Sequence, residues 1–209
     1  DNSSTIYCSG YNRIYNPGNL LTYRVPGTTT TIASNSTFTI PNAGALRQIQ
    51  ISSEISCVVN TVGSVYCWGN EYFNCPSTEL NCYTPRKLSL PSNSTVVQLA
   101  VSDYDGGNTA ACMLFSNGSV GCISDYTIST VSGNSIFDWL SLSDSAIYIS
   151  MGYLTGCAIL IDGDAECFGY QLSTLSYGNN NANLFSLGND DNFTNIVVAD
   201  MKACYTNES

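Results

Sequence analysis

Ten cysteines are the residues of this 209-residue chain whose type and spacing most directly predict chemistry. Three pairs share one pattern, a cysteine, five residues, a glycine, three residues and a second cysteine; they are Cys57 with Cys67, Cys112 with Cys122, and Cys157 with Cys167. Such a segment folds about a three-residue loop that ends in glycine, which adopts a left-handed conformation without strain. The cysteines then face each other across antiparallel strands, within disulfide reach. Each pair therefore predicts a disulfide-closed hairpin.

The other four cysteines predict two further disulfides. Cys75 and Cys82 flank a short polar stretch and are expected to close a loop. Cys8 stands where the second cysteine of a hairpin would stand, and Cys204 where the first would stand, so we expect a Cys8–Cys204 bond that joins the two ends of the chain. A zinc site is the alternative use of clustered cysteines. We prefer disulfides because the chain has no histidine and no Cys-x-x-Cys sequence.

The charge balance limits the partners of the chain. Six Lys and Arg residues against sixteen Asp and Glu residues give a net charge of −10. Phosphate binding needs clustered basic side chains, so we expect no nucleic-acid partner. An anionic membrane surface is disfavoured for the same reason, and no apolar run is long enough for membrane insertion.

Potential glycosylation sites point to the compartment. Six Asn-x-Ser/Thr sequences begin at Asn2, Asn35, Asn93, Asn117, Asn192 and Asn207. Beside an even number of cysteines, they indicate an oxidising environment and an extracellular or cell-surface protein. The chain starts at Asp1 rather than Met, so we interpret it as a processed or trimmed product. We expect N-linked glycans and no cofactor.

The hairpins belong to a repeat of about fifty residues, since the first cysteines of successive units are 55, 45 and 47 residues apart. An apolar strand precedes the first cysteine of each unit, and no segment shows helical periodicity. We therefore predict one all-β domain over 1–209, a β-propeller-like array of about four units. The units are expected at 46–95, 96–146 and 147–194, with a composite unit formed by 195–209 plus 1–45.

The composite unit rests on the two ends of the chain. Residues 2–10 match the latter half of a hairpin, and 195–204 match the former half, so that together they complete a fourth unit and remove exposed sheet edges. The halves could instead pair between molecules, chain end to chain start, in an open fibre. Within 1–45, the polar pair Ser34-Asn35 predicts a turn between two β-prone runs.

Residues 51–59 and 63–70 resemble a repeat of the regulator of chromosome condensation propeller family, and Cys167-Phe168-Gly169 repeats the likeness more loosely. The cysteine-bearing form is similar to extracellular members, including the ectodomains of Crinkly-type receptor kinases. The resemblance implies a β-propeller but no single function, since members include a nuclear exchange factor, receptor ectodomains and secreted inhibitors. Family propellers usually have more than four blades. An open stack, or completion by a neighbouring molecule, is therefore an alternative to closure within one chain.

Few residues could perform catalysis or bind metal. The absence of histidine removes the commonest general base and the usual activated nucleophiles. Asp162 and Asp164 could form a glycosidase carboxylate pair, but Asp162-Gly163 is also a turn signal, which we prefer. The stretch 103–108 alternates oxygen ligands as calcium loops do, but it lacks the third acid and the later Glu. We prefer a solvated insertion there, and we expect no enzyme activity and no metal.

Two aromatic residues at matching repeat positions, Trp68 and Phe168, could line a ligand surface. Because they recur in the repeat, we expect them to fill blade cores instead. Glu166 is interpreted most simply as surface charge.

These observations predict a non-enzymatic secreted or cell-surface structural glycoprotein, a subunit of an extracellular assembly or protein fibril. Its expected partners are copies of itself or other extracellular glycoproteins. The alternative is an extracellular recognition module, either a receptor ectodomain or a secreted inhibitor, that binds a protein or glycan through blade loops. Glycosylation sites scattered along the chain mildly favour the structural role, because a recognition module needs a glycan-free face.

Overall fold

A computed structural model of the chain describes residues 4–10, 33–40, 42–52, 55–69, 82–91, 95–104, 108–124, 137–153, 155–169, 185–186, 193–199 and 202–207. Every regular element in these ranges is a β-strand, and all strand pairs are antiparallel. None of these ranges contains a helix long and apolar enough to span a membrane. The all-β class predicted from the sequence is confirmed.

The strands form five sheets that follow one another along the chain. The first, called half-blade N, pairs β1 (Ser4–Gly10) with β2 (Ala33–Ile40). Three four-stranded sheets follow, with their strands paired in chain order. Blade 1 contains β3 (Leu46–Ile51), β4 (Ile55–Asn60), β5 (Val65–Gly69) and β6 (Cys82–Lys87). Blade 2 contains β7 (Val96–Tyr104), β8 (Asn108–Phe115), β9 (Val120–Ser124) and β10 (Phe137–Trp139). Blade 3 contains β11 (Ala146–Gly152), β12 (Thr155–Leu160), β13 (Ala165–Gly169) and β14 (Phe185–Ser186). Half-blade C pairs β15 (Phe193–Ala199) with β16 (Lys202–Asn207).

The second and third strands of each complete blade are joined by the predicted disulfide. The Cα atoms are 4.2 Å apart in Cys57–Cys67, 4.0 Å in Cys112–Cys122 and 3.9 Å in Cys157–Cys167. Such separations are those of closely spaced, non-hydrogen-bonded pairs. The loop glycines have φ values of +82°, +82° and +91° at Gly63, Gly118 and Gly163. The hairpin geometry therefore follows directly from the cysteine and glycine spacing.

Successive sheets pack face to face through apolar side chains. The face that carries the disulfide of one blade covers the first strand of the next: Cys57 and Cys67 lie in one buried cluster with Leu99 and Val101 of β7. The same arrangement recurs between blades 2 and 3, and between blade 3 and half-blade C. Transfer of apolar surface from water drives this contact, so each interface has its own apolar core that holds two neighbouring repeats together.

Three expectations for the chain ends need correction. Among the described residues, the two halves of the predicted composite unit do not join, because β1–β2 and β15–β16 are separate two-stranded sheets. Cys204 is accordingly a free, exposed thiol, so the expected intrachain Cys8–Cys204 bond is not formed. The pair Ser34-Asn35 lies inside β2 instead of forming a turn, since pairing with β1 continues to Ala33. The Cys75–Cys82 pair lies outside the described residues, as Cys75 and the Cys82 side chain are not described.

Candidate interaction surfaces

Backbone hydrogen bonds set each blade against the next one. The Val96 amide donates to the carbonyl of Gly63 at 3.4 Å, and the Ala146 amide donates to that of Gly118 at 2.8 Å. The Phe193 amide donates to Gly163 in the same way at 3.0 Å. The hairpin turn of one blade thus holds the start of the following first strand. Phe193 therefore places β15 as the first strand of a fourth blade.

Glutamine side chains link the inner edges of the first strands. The Gln48 carboxamide donates to the Leu99 carbonyl at 3.0 Å and accepts from the Leu99 amide at 2.8 Å. Gln98 makes the same two bonds with Ile149, at 3.0 and 2.9 Å. Between blade 3 and half-blade C, the Ser150 hydroxyl accepts from the Val198 amide at 3.0 Å. These bonds satisfy backbone groups at strand edges that no neighbouring strand pairs.

Blade 1 exposes two apolar side chains that other blades bury. Ile49 is 41% exposed, although Leu99, Ile149 and Ile196 at the same position of the later first strands are buried. Ile51 is 60% exposed, although its equivalents Val101, Met151 and Val198 are buried. The difference arises because no described sheet covers this part of β3. The sequence marks all these positions as apolar, so residue type alone could not reveal which one lacks a neighbour.

Half-blade C exposes the opposite kind of surface. Val197 lies across from Cys204 in the β15–β16 pair, on the face that carries the disulfide in blades 1 to 3. Val197 is 55% exposed and Cys204 is also exposed. Within the described part of the chain, no strand pairs with the free edge of β16. This end of the array therefore presents an unpaired edge, an apolar side chain and a free thiol.

Half-blade N covers only part of blade 1. Ile6 of β1 and Ile40 of β2 are buried in one cluster with Val58, Tyr66 and Trp68. β1 pairs with β2 on one side, and no described strand pairs with its other edge. The two strands therefore shield the outer part of the blade 1 face, and Leu46 at the start of β3 packs against their cluster, but Ile49 and Ile51 of β3 stay uncovered.

One predicted glycosylation site is fully described. Asn117 is exposed in the turn between β8 and β9, where its Oδ1 accepts from the Ser119 amide at 3.1 Å and from the Ser119 hydroxyl at 2.7 Å. The acceptor side chain is thus accessible on the turn face of blade 2. Asn2, Asn93 and Asn192 lie outside the described residues. Asn35 and Asn207 lie in strands, without a description of their side chains.

The residues considered for catalysis are placed in structural roles. Asp162 is exposed in a turn, and its Oδ1 accepts from the Asp164 amide at 3.0 Å, the bonding of a plain turn. Glu166, interpreted from the sequence as surface charge, is instead buried, with Oε2 accepting from the Ser143 amide at 3.1 Å. That bond satisfies a loop amide before β11. Trp68 and Phe168 are buried in the inter-blade clusters, as expected.

No metal site is visible in the part of the chain that is described, where no three Cys, Asp or Glu side chains cluster. Of the stretch considered for calcium, 105–107 and the side chains of the flanking residues are not described. The backbone on either side forms the β7–β8 hairpin, with Tyr104 opposite Asn108.

Comparison with known proteins supports the fold. No family model and no curated protein sequence matches the chain. Among solved structures, human WBSCR16 superposes with a TM-score of 0.71 at 15% identity, over 97% of this chain and 57% of that protein. Prp20p from Saccharomyces cerevisiae, whose structure is reported with its binding to Gsp1p and histones, gives 0.58 at 14% identity, over 82% and 46%. The Crinkly ectodomain of the Arabidopsis thaliana receptor kinase ACR4 gives 0.48 at 16% identity, over 78% and 46%.

The chain spans about half the length of these propellers. Likenesses at such low identity establish architecture and leave activity and partners open. The strand order, the blade-to-blade packing and the superpositions on WBSCR16 and Prp20p agree with the resemblance drawn from the sequence. The chain therefore has the fold of a regulator of chromosome condensation type propeller, in which a disulfide joins the second and third strands of each complete blade.

Proposed function

We propose that the protein is a non-enzymatic structural glycoprotein and a subunit of an extracellular or cell-surface assembly or fibre. The observation that carries the proposal is the exposure of Ile49, Ile51 and Val197 at the two ends of the blade array. The equivalents of Ile49 and Ile51 lie between blades, where apolar contact holds neighbours together. Apolar patches left on a protein surface commonly mark sites of association.

Covalent features support the extracellular part of the proposal. The three hairpin disulfides are buried. Disulfides persist in oxidising compartments and are rare in the reducing cytosol. Asn117 offers an exposed glycan acceptor in a turn, the local environment that such sites require. Glycans on the turn face would coat the assembly without blocking the ends of the array.

The test is to measure the size and shape of the native, unreduced glycoprotein by light scattering and negative-stain microscopy. We expect regular multimers or filaments, with glycan detected by mass spectrometry before and after enzymatic deglycosylation. A glycan-free protein, or one that is monomeric at every concentration and has no multimeric partner, would contradict the proposal.

A second candidate is an extracellular recognition module. Two turn residues, Val62 and Ile161, expose large apolar side chains in hairpin turns of blades 1 and 3. Propellers of this fold can bind proteins, as Prp20p does. This role predicts single-chain particles that bind a protein or glycan saturably. Substituting Val62 and Ile161 by Ser would then weaken binding without changing the particle mass.

A further inference from the structure

The two half-blades are complementary halves of one blade. In β15–β16, Val197 lies opposite Cys204, just as Ser150 lies opposite Cys157 in the first two strands of blade 3. β1 carries Cys8 two residues before its final glycine, as the third strand of blade 1 carries its second cysteine, and it pairs with β2 as β5 pairs with β6. Half-blade C thus supplies strands one and two, and half-blade N supplies strands three and four.

The exposed faces are complementary as well. In each of the three interfaces that follow a complete blade, the disulfide face contacts the first strand of the next sheet. Val197 and Cys204 belong to such a face without a first strand against it. Ile49 and Ile51 belong to a first strand without such a face over it. Each surface has the chemistry and the repeat position that the other lacks.

We propose, on the basis of the assembly role above, that half-blade C of one copy joins half-blade N of a second copy into a complete blade. β16 of the first copy pairs antiparallel with β1 of the second, and the joint is closed by a disulfide from Cys204 to Cys8. The register is that of β12 and β13, in which Cys157 faces Cys167. It places Ala203 opposite Ser9.

The joint also covers the exposed apolar surface. Once β16 pairs with β1, the face formed by Val197 and Cys204 continues the face of Ile6, which already packs on blade 1. It then lies over Ile49 and Ile51 of the second copy. Removing these side chains from water favours the joint, and the new strand pairing removes the two open edges.

The separation of the two half-blades favours a second copy over closure within one chain, and the number of blades permits it. The described residues of one chain form three complete blades and two halves that lie in separate sheets. Two copies joined at both ends have six complete and two composite blades, a ring of eight. Propeller rings typically contain about four to eight blades, so two copies give a ring of permitted size. A two-fold axis makes the two joints identical and pairs the free edge of β16 with that of β1 at both of them.

Formation of the disulfide needs a two-electron oxidant, which an oxidising compartment supplies as a protein disulfide or glutathione disulfide. The Cys204 thiolate attacks a sulfur of that disulfide, forming a mixed disulfide and releasing one thiol. The Cys8 thiolate of the second copy then attacks the Cys204 sulfur and displaces the other thiol. Cys8 and Cys204 are oxidised, the oxidant is reduced, and the two protons end on its two thiols.

A complementation experiment tests the joint directly. Cys8→Ser and Cys204→Ser variants are refolded separately and as an equal mixture in glutathione redox buffer, then separated by denaturing electrophoresis without reductant. We expect the mixture to give a disulfide-linked pair of chains at least ten-fold more abundant than in either variant alone. Peptide mapping of the wild-type multimer should show Cys8 bonded to Cys204. A mixture without linked pairs, a bond confined to a single chain, or Cys204 bonded elsewhere would overturn the proposal.

Two matched variants test the apolar contact. Ile51→Arg places a charge on the face that the joint buries. Ile147→Arg places the same charge on an isoleucine of β11 that is also exposed, at 56% against 60%, but lies outside the joint. We expect Ile51→Arg to reduce the linked pairs at least ten-fold and Ile147→Arg to leave them unchanged. Equal effects of the two variants would count against the joint.

The two proposals can fail separately. Glycosylated multimers that survive both Cys204→Ser and Ile51→Arg would overturn the joint and leave the assembly role intact. Native wild-type protein that stays monomeric and has no multimeric partner would overturn the assembly role, and the joint with it.

Discussion

A Cβ atom on Gly118 would lie 2.5 Å from the Cβ atom of Ser145, the residue just before the first strand of blade 3. Gly118 is the third residue of the blade 2 hairpin loop and has a φ of +82°. Two independent constraints therefore select glycine here, the left-handed backbone of the turn and the close approach of the next blade. The repeated glycine serves both the hairpin and the blade interface.

Gly118→Ala should consequently destabilise the fold more than a left-handed backbone alone explains. We expect a loss of about 2–4 kcal/mol in the free energy of unfolding, from the backbone conformation and the contact together. Gly44→Ala is the matched control, because Gly44 has a φ of +67° and nothing within 4 Å of its Cβ position. That variant should lose about 1–2 kcal/mol. Urea unfolding with disulfides intact measures both values, and equal losses would show that the blade contact contributes nothing.

Gln48→Met should weaken the interface between blades 1 and 2. The substitution keeps the length of the side chain but removes both hydrogen bonds to the backbone of Leu99, which is fully buried. We expect a loss of about 2–4 kcal/mol, since a buried amide and carbonyl lose their side-chain partner. Gln50→Met on the same strand is the control, because Gln50 makes no side-chain hydrogen bond to another described residue. A loss no greater than that of the control would contradict this role.

The features that could be predicted from the sequence are local ones. The cysteines of each hairpin are ten residues apart, and a glycine between them fixes the loop, so pairing, register and turn follow from neighbouring residues alone. The repeat of these hairpins then indicated blades. Burial of Trp68 and Phe168 followed from their repeated position, because each blade packs in the same way on the one before it.

The features that could not be predicted depend on distant parts of the chain. Whether Cys8 reaches Cys204 depends on the summed rotation of three blades, which no single residue encodes. Glu166 is buried because a loop amide from Ser143 needs an acceptor, a contact across 23 positions. Ile49 has the same residue type as its buried counterpart Ile149, and only the missing neighbour makes it a surface residue.

Removing one hairpin disulfide should lower stability without unfolding the array. In a Cys112→Ala, Cys122→Ala variant, we expect a loss of about 2–4 kcal/mol, from freeing the short loop in the unfolded state and from emptying a buried site. The free energy of unfolding is measured with urea under non-reducing conditions, with the wild type as reference. Since each blade packs on its neighbours, the transition should stay cooperative. A free energy of unfolding that is unchanged within error would show that this disulfide does not stabilise the fold.

Substitutions at Asn117 should separate the loss of its glycan from the loss of its hydrogen bonds in the turn. Asn117→Asp removes the glycan acceptor but keeps an Oδ1 that can accept from the Ser119 amide and hydroxyl. We expect the secreted variant to lose the mass of one glycan and to keep the unfolding midpoint of the enzymatically deglycosylated wild type. Asn117→Ala removes both the acceptor and the turn bonds. It should therefore lose the same glycan, and its free energy of unfolding should fall by about 1 kcal/mol more. An Asn117→Asp protein with unchanged mass would show that this exposed asparagine carries no glycan.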